Sequence, residues 1–500
     1  MFRFKLIKRI TMKKIVGFCF VSLILSTSCE KAVEVDPISV ITASSFWKTA
    51  DDAKGALIGM HDLFRGTTNE HFFMMGEARS EAMTSATAGT VGYDKYYNQT
   101  LTAANPGPSW LAFYQTINQA NLILKYVPGI SFPSEADKNR ILAQAYTMRA
   151  FVYFTMVKTW GGIPIRTEPT ESYDPASIQI PRSSMEEVFT LVKSDLDQAL
   201  SLYPDNSIPS GRTLWSKPAA NVLKGDVYLW TGKVLNGGVS DFNVALSALT
   251  EANSADVGLL EDYSQVFAYD NKGNREVLFA VRYEVIESVH NYFMYMYIND
   301  PGLAVSAETR EMIGTVGTGN TGNSIMQVSA LVRDQFTDDD QRKLGTFFEI
   351  YNTSGTFVSA ITTKGSGIVD NGTRHFKNDV VIYRYAELLL LLAEAKNALG
   401  QDPSAEMNAI RQRAYGESFA NHMFVNGPQA ANDEAILRER LLELTTEGKR
   451  WWDLIRFDKV FDLVPALQGK SSQRHLLLFP IGNSIRSLEP LVVENSGWEE

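Results

Sequence analysis

The chain has 500 residues, 45% of them hydrophobic, so it is long enough to bury one or two cores and too apolar to be a disordered chain. Its 57 acidic and 47 basic residues give a net charge of −10, and removing residues 1–28 takes six basic and no acidic side chains, which leaves −16. That balance argues against a nucleic-acid partner, which needs Lys and Arg to neutralise phosphates, and against electrostatic docking on anionic lipid; a neutral ligand suits it better.

The chain opens with Arg3, Lys5, Lys8, Arg9, Lys13 and Lys14, continues with the apolar run Ile15 to Leu25, and reaches Ser26, Thr27, Ser28 and Cys29. A basic head, a short apolar core and small residues before a cleavage point predict a secretory signal over residues 1–28. The core is shorter than the ~20 apolar residues that span a bilayer. A cysteine directly after the small residues resembles a bacterial lipobox, with Ser26 where Leu is usual. On that reading Cys29 is acylated and holds the mature chain at a membrane; the alternative is an ordinary secreted protein. Met12 is a second candidate start and leaves Cys29 in place. Cys19 leaves with the signal, so the mature chain has one cysteine and no internal disulfide.

Helices dominate the rest of the chain. Ser109 to Val127 ends at Pro128-Gly129. Ser134 to Trp160 carries Ile141, Ala145, Met148, Val152 and Met156 on one face and stops at Gly161-Gly162. Ser183 to Tyr203 opens on Ser183-x-x-Glu186, a capping-box pattern. Pro218 to Val234 has proline at an early helical position, and Arg384 to Leu399, Pro403 to Ala414 and Asn432 to Thr445 complete the set. Val277 to Val281 reads as a strand. Ser85 to Ser109, Ile286 to Asn323 and Tyr351 to Asn378 read as loop-rich, the last with short strands or a hairpin. The expected fold is mainly α: irregular tetratricopeptide-like helix pairs with long loops and a few short β-strands.

Signatures of chemistry are weak. The six histidines have no zinc-ligand spacing, no Gly-x-Ser-x-Gly elbow occurs, and Gly317-x-Gly319-x-x-Gly322 lies in a polar loop, not between a strand and a helix. Asp338-Asp339-Asp340 lacks the later ligands of a calcium loop and reads as a helix end or solvated acidic turn. The carboxylates between Glu439 and Arg456 are spaced for ion pairs that pin a helix. No catalysis, cofactor or metal is expected, although two suitably separated carboxylates would suffice for a glycosidase.

Several segments together resemble the SusD/RagB family of outer-membrane nutrient-binding lipoproteins. They are Phe46-Trp47 with Asp51-Asp52-Ala53; Trp110-x-x-x-Tyr114-x-x-Ile117-x-x-Ala120-Asn121; Arg149-Ala150-Phe151-x-Tyr153-Phe154 with Trp160-Gly161-Gly162-Ile163-Pro164; and, most specific, Glu439-Arg440-x-x-Glu443-Leu444-x-x-Glu447-Gly448-x-Arg450-Trp451-x-Asp453-Leu454-x-Arg456. Glu494-Asn495-Ser496-Gly497-Trp498 departs from the family's usual ending. The resemblance implies an N-terminal helical part over 29–235 and a C-terminal part over 236–500, packed as one compact unit. It implies an oligosaccharide ligand, a SusC-like TonB-dependent transporter as partner, and attachment to the outer membrane through lipidated Cys29, on the cell surface. A hydrolase at the same surface and a peptide- or protein-binding scaffold are the alternatives. A sugar site needs flat aromatics for C–H faces and polar edges for hydroxyls, best carried by loops on a rigid scaffold. The candidates are His71, Phe72, Tyr93, Tyr96 and Tyr97 in one region and Tyr292, Tyr295 and Tyr297 in another, with Asn69, Arg79, Asn98 and Asn291 as hydrogen-bonding neighbours. Core packing is the competing role for each aromatic.

Overall fold

The computed structural model describes residues 46–88, 92–172, 174–286, 289–298, 302–314 and 324–498. The signal segment, Cys29 and Gly317 to Gly322 lie outside them. Contacts divide the chain at Lys48; residues 46–48 show the Phe46 and Trp47 rings edge to face at 4.9 Å, and Thr49–Glu500 form one compact unit.

Helices make up most of that unit. We label the principal ones α1 (Ala50–Thr68), α2 (His71–Gly76), α3 (Leu111–Tyr126), α4 (Glu135–Trp160), α5 (Met185–Leu202), α6 (Lys217–Val234), α7 (Gly238–Ala252), α8 (Tyr385–Ala398), α9 (Ser404–Tyr415), α10 (Gln429–Leu444) and α11 (Arg450–Arg456). They associate as pairs: α1 on α3, α4 on α5, α6 on α7, and α8 between α9 and α10, with α7 also against α8. Every helix read from the sequence is present, its ends moved by no more than three residues. Helices α1, α2, α7 and α11 are absent from that reading; α7 starts at Gly237-Gly238 with no side-chain cap to announce it.

Helix α4 is the axle. From Ile141 to Trp160 every residue except Tyr146 is buried, so neighbours cover it on all sides and it has no single apolar stripe. Its one arginine in that stretch, Arg149, is held by a two-pronged pair with Asp195 of α5 at 2.8 and 2.7 Å and by the Asn121 side-chain oxygen at 2.7 Å. The helix ends at Gly161, whose φ of 74° lies in the left-handed region that glycine tolerates. Gly162 lets the chain pass close by, since a Cβ there would lie 2.2 Å from the Ser183 carbonyl oxygen.

That contact decides where α5 begins. The sequence holds two overlapping Ser-x-x-Glu frames, and Ser183 is occupied in donating its backbone N–H to Ile163. Ser184 therefore caps: its hydroxyl accepts from the Glu187 N–H at 3.1 Å, and its own N–H donates to the Glu187 carboxylate at 2.7 Å. The expected Ser183–Glu186 box is corrected by one residue.

All strands among the described residues form two-stranded antiparallel pairs: β1 (Met83–Ser85) with β3 (Met326–Val328), β2 (Val277–Val281) with β8 (Val380–Arg384), β4 (Phe347–Tyr351) with β5 (Phe357–Thr362), and β6 (Ile368–Asp370) with β7 (Thr373–His375). The β2–β8 pair is fully buried and feeds directly into α8. Among the described residues no helix is long and apolar enough to cross a membrane.

Candidate ligand-binding site

The turn between α1 and α2 carries Glu70. Its carboxylate accepts from the Tyr93 hydroxyl at 2.9 Å and the Tyr295 hydroxyl at 2.7 Å, tyrosines 23 and 225 residues away in sequence. The two rings lie 5.1 Å apart, tilted by 42°. Tyr93 precedes a single helical turn, Asp94–Tyr97, and Tyr295 lies in a 3-10 turn, Tyr292–Met296. Glu70, Tyr93 and Tyr295 are half-buried, as are His71 and Tyr97. Burial and the Glu70 carboxylate keep both phenols protonated, Tyr93 being pushed up to about 12 and Tyr295 higher still. The His71 ring stacks on Phe113 of α3 at 6.1 Å; burial lowers its pKa while Glu70 opposes the shift. Two buried polar atoms here, Nδ1 of His71 and the hydroxyl of Tyr97, meet no partner among the described residues.

The remaining aromatic candidates face the interior. Phe72 is 2% exposed, between Phe151 at 6.1 Å and Trp452 at 5.4 Å, because α2 inserts every residue after His71 into the core. Tyr96 is buried with its ring 6.3 Å from Phe479. Tyr292 stacks on Phe73 at 4.5 Å and donates its hydroxyl to the Thr446 carbonyl, and Tyr297 donates to the Ile313 carbonyl. Arg79 is consumed as well: it donates to Gln99, Leu478 and Leu476 and lies over Trp451 and Phe479. The Asn69 side-chain oxygen accepts from Tyr283, and the buried Asn291 bridges Phe293 and Asn378; Asn98 is exposed. Glu70, which joins the two tyrosine segments, is not among the sequence candidates, since nothing in the chain's local pattern marks it.

The carboxylates between Glu439 and Arg456 are structural. Arg342 reaches Asp340, Glu439 and Glu443; Arg384 reaches Glu276, Glu443 and Glu447; Arg413 reaches Glu276 and Glu443. Burial alone would raise the Glu443 pKa, but Arg413, Arg384 and Arg342 together hold it well below the usual carboxylate range. Asp340 belongs to this buried network, so the acidic turn is solvated only in part; Asp338 pairs with Lys343 and Asp339 with His422. Among the described residues no group of three or more His, Cys, Asp or Glu side chains is placed to hold a metal ion.

A second concave surface, about 710 Å³, lies along α3. Its lining is largely apolar, with Leu63, Leu111, Ile178, Ile485 and Leu488, and its polar edge is Arg166 paired with Glu489 at 3.2 Å. Leu111 and Leu488 are exposed.

Comparison with known proteins agrees with this architecture. A family described as "SusD family" matches residues 349–474, and one described as "Starch-binding associating with outer membrane" matches residues 53–229. SusD-like protein P38 of Formosa agariphila is 27% identical, over 92% of this chain and 94% of its own. The structure of NanU from B. fragilis superposes with a TM-score of 0.80 at 32% identity, covering 93% of this chain and all of that one. A laminarin-binding SusD-like protein shares the fold at a TM-score of 0.74 and 22% identity, over 90% of this chain and 100% of that one. The chain belongs to the SusD/RagB family.

Proposed function

We propose that this protein binds an oligosaccharide at the surface formed by Tyr93, Tyr295, Tyr97 and His71 around Glu70, and passes it to a SusC-like TonB-dependent transporter in the outer membrane. The observation that carries the reading is the convergence of Tyr93 and Tyr295 on one carboxylate. Two tilted, half-exposed rings at fixed separation offer flat surface to sugar C–H faces, and the locked phenols leave oxygen lone pairs for sugar hydroxyls. The family descriptions and the laminarin-binding neighbour support a glycan ligand. Catalysis is not part of this reading. Acylation at Cys29 would tether the chain, and tethering would keep bound sugar at high effective concentration beside the transporter, so a modest affinity suffices.

Affinity electrophoresis against a panel of glycans tests the site. The parent should be retarded by at least one glycan and release no reducing ends, and Tyr295→Ala should weaken retardation about tenfold, roughly 1.4 kcal/mol. Unchanged retardation would remove the site, and released reducing ends would favour a hydrolase. Fractionation tests the anchor: the parent should pellet with membranes after a high-salt wash and Cys29→Ala should not.

The groove along α3 favours a second reading, a protein-binding scaffold. Its apolar lining suits a partner's side chains better than a sugar, and peptide capture without glycan binding would support it.

A further inference from the structure

Six helices, α2, α4, α6, α8, α10 and α11, meet around a cavity of about 10 Å³, and every residue lining it is buried. Charge is concentrated there. Most of it is internally matched: Arg456 holds Asp226, Glu394 and Asp453, and Lys449 holds Glu387 and donates to the Ile382 carbonyl. Tyr383 donates to the second Asp226 oxygen.

Three side chains on the lining carry donors without a partner, and a fourth, Lys158, has no carboxylate against it. Arg440 uses only Nη2, on Asp453 at 2.8 Å and Glu387 at 3.6 Å; its Nε and Nη1 meet no acceptor among the described residues. The Trp452 indole N–H and the Thr155 hydroxyl are buried without a partner on the same terms. The Lys158 ammonium lies over the ring faces of Phe154 at 3.8 Å and Trp452 at 4.0 Å, not against a carboxylate. A buried donor left unmade is costly, more so if it is charged, so the unmade donors of Arg440, Trp452 and Thr155 around one small space call for a common acceptor.

We propose that this cavity binds a single monatomic anion, a halide, held by Lys158, Arg440, Trp452 and Thr155. The chemistry favours an anion over a water. All four groups donate, and a water accepts from two, whereas a halide accepts from every side. Size excludes phosphate, sulfate and carboxylate-bearing ligands, because the space admits about one water-sized sphere; a halide, somewhat larger than water, enters once the lining side chains move slightly outward. Charge agrees: Lys158, Arg440, Lys449 and Arg456 line the cavity against Asp226, Glu387 and Asp453. The ion would sit where six helices converge and lock them together, independently of any sugar at Glu70.

Diffraction from crystals grown in sodium bromide, measured at the bromine absorption edge, tests the site directly. An anomalous peak between Lys158 and Arg440 is expected; density in the cavity without anomalous signal would identify a water and overturn the proposal. Lys158→Met keeps an unbranched chain between the two rings and should fold, with the peak lost; a peak of undiminished height would remove Lys158 from the site. Occupancy should also fall as pH rises through about 7, because burial lowers the Lys158 pKa to about 7 against the pull of Asp226 and Glu387, with Lys449 and Arg456 lowering it further. Occupancy that does not change across that range would contradict a role for the ammonium.

Discussion

Glu70 is useful because it is half-buried between two phenols. A free carboxylate at the surface would be solvated and mobile; one that accepts from two tyrosines fixes both rings. His61 shows the opposite use of a titratable group. On α1 its ring meets Phe279 edge-on at 5.9 Å, and burial lowers its pKa to about 4, with Gln144 opposing. The unfolded chain takes up this proton near 6.5, so between 6.5 and about 4 the unfolded state carries more protons, and stability is lost as pH falls through that window. His61→Phe should keep the aromatic contact and remove this contribution. Urea midpoints of parent and variant should diverge in the variant's favour as pH drops from 6.5 towards 4, and parallel curves would contradict it. Neither residue's role is legible in the chain, because each depends on partners from other elements.

The elements themselves are far more legible. Helix periodicity, Gly161-Gly162 after α4 and Gly400 after α8 locate seven of the helices to within a few residues, because these signals are local. Frames that compete locally are settled from outside. Ser183 and Ser184 offer equivalent capping boxes, and the bond from Ser183 to Ile163 selects Ser184. Ser184→Ala should therefore lower stability by about 1 kcal/mol. Ser183→Ala should change it by less than about 0.5 kcal/mol, the range of an ordinary surface substitution. Chemical unfolding of the two variants distinguishes the frames. The aromatic loops mislead for a related reason. Composition marks Phe72, Tyr96 and Tyr292 as ligand surface, yet a short helix and a 3-10 turn rotate them inward and leave Tyr93 and Tyr295 half-exposed.

At the scale of the molecule, buried ion pairs do the joining that disulfides do in many exported proteins. Arg450 of α11 donates Nε and Nη2 to Glu81 and Nη1 to the Leu437 carbonyl, tying the segment after α2 to α10 and α11. Arg450→Ala would leave Glu81 buried without its counter-ion, which costs about 3–5 kcal/mol. Yield of folded protein should drop sharply while the molecules that do fold keep their glycan affinity; normal yield with lost binding would instead place Arg450 in the ligand site.

The amino-acid sequence alone determined most of the long helices, the mainly α class and the family, because periodicity, caps and motif order are written in neighbouring residues. Tertiary structure decided which aromatics face solvent, which serine caps α5 and which carboxylate meets two tyrosines. Those outcomes depend on burial and on partners as far apart as Glu70 and Tyr295, and no local pattern encodes a contact across 225 residues of chain.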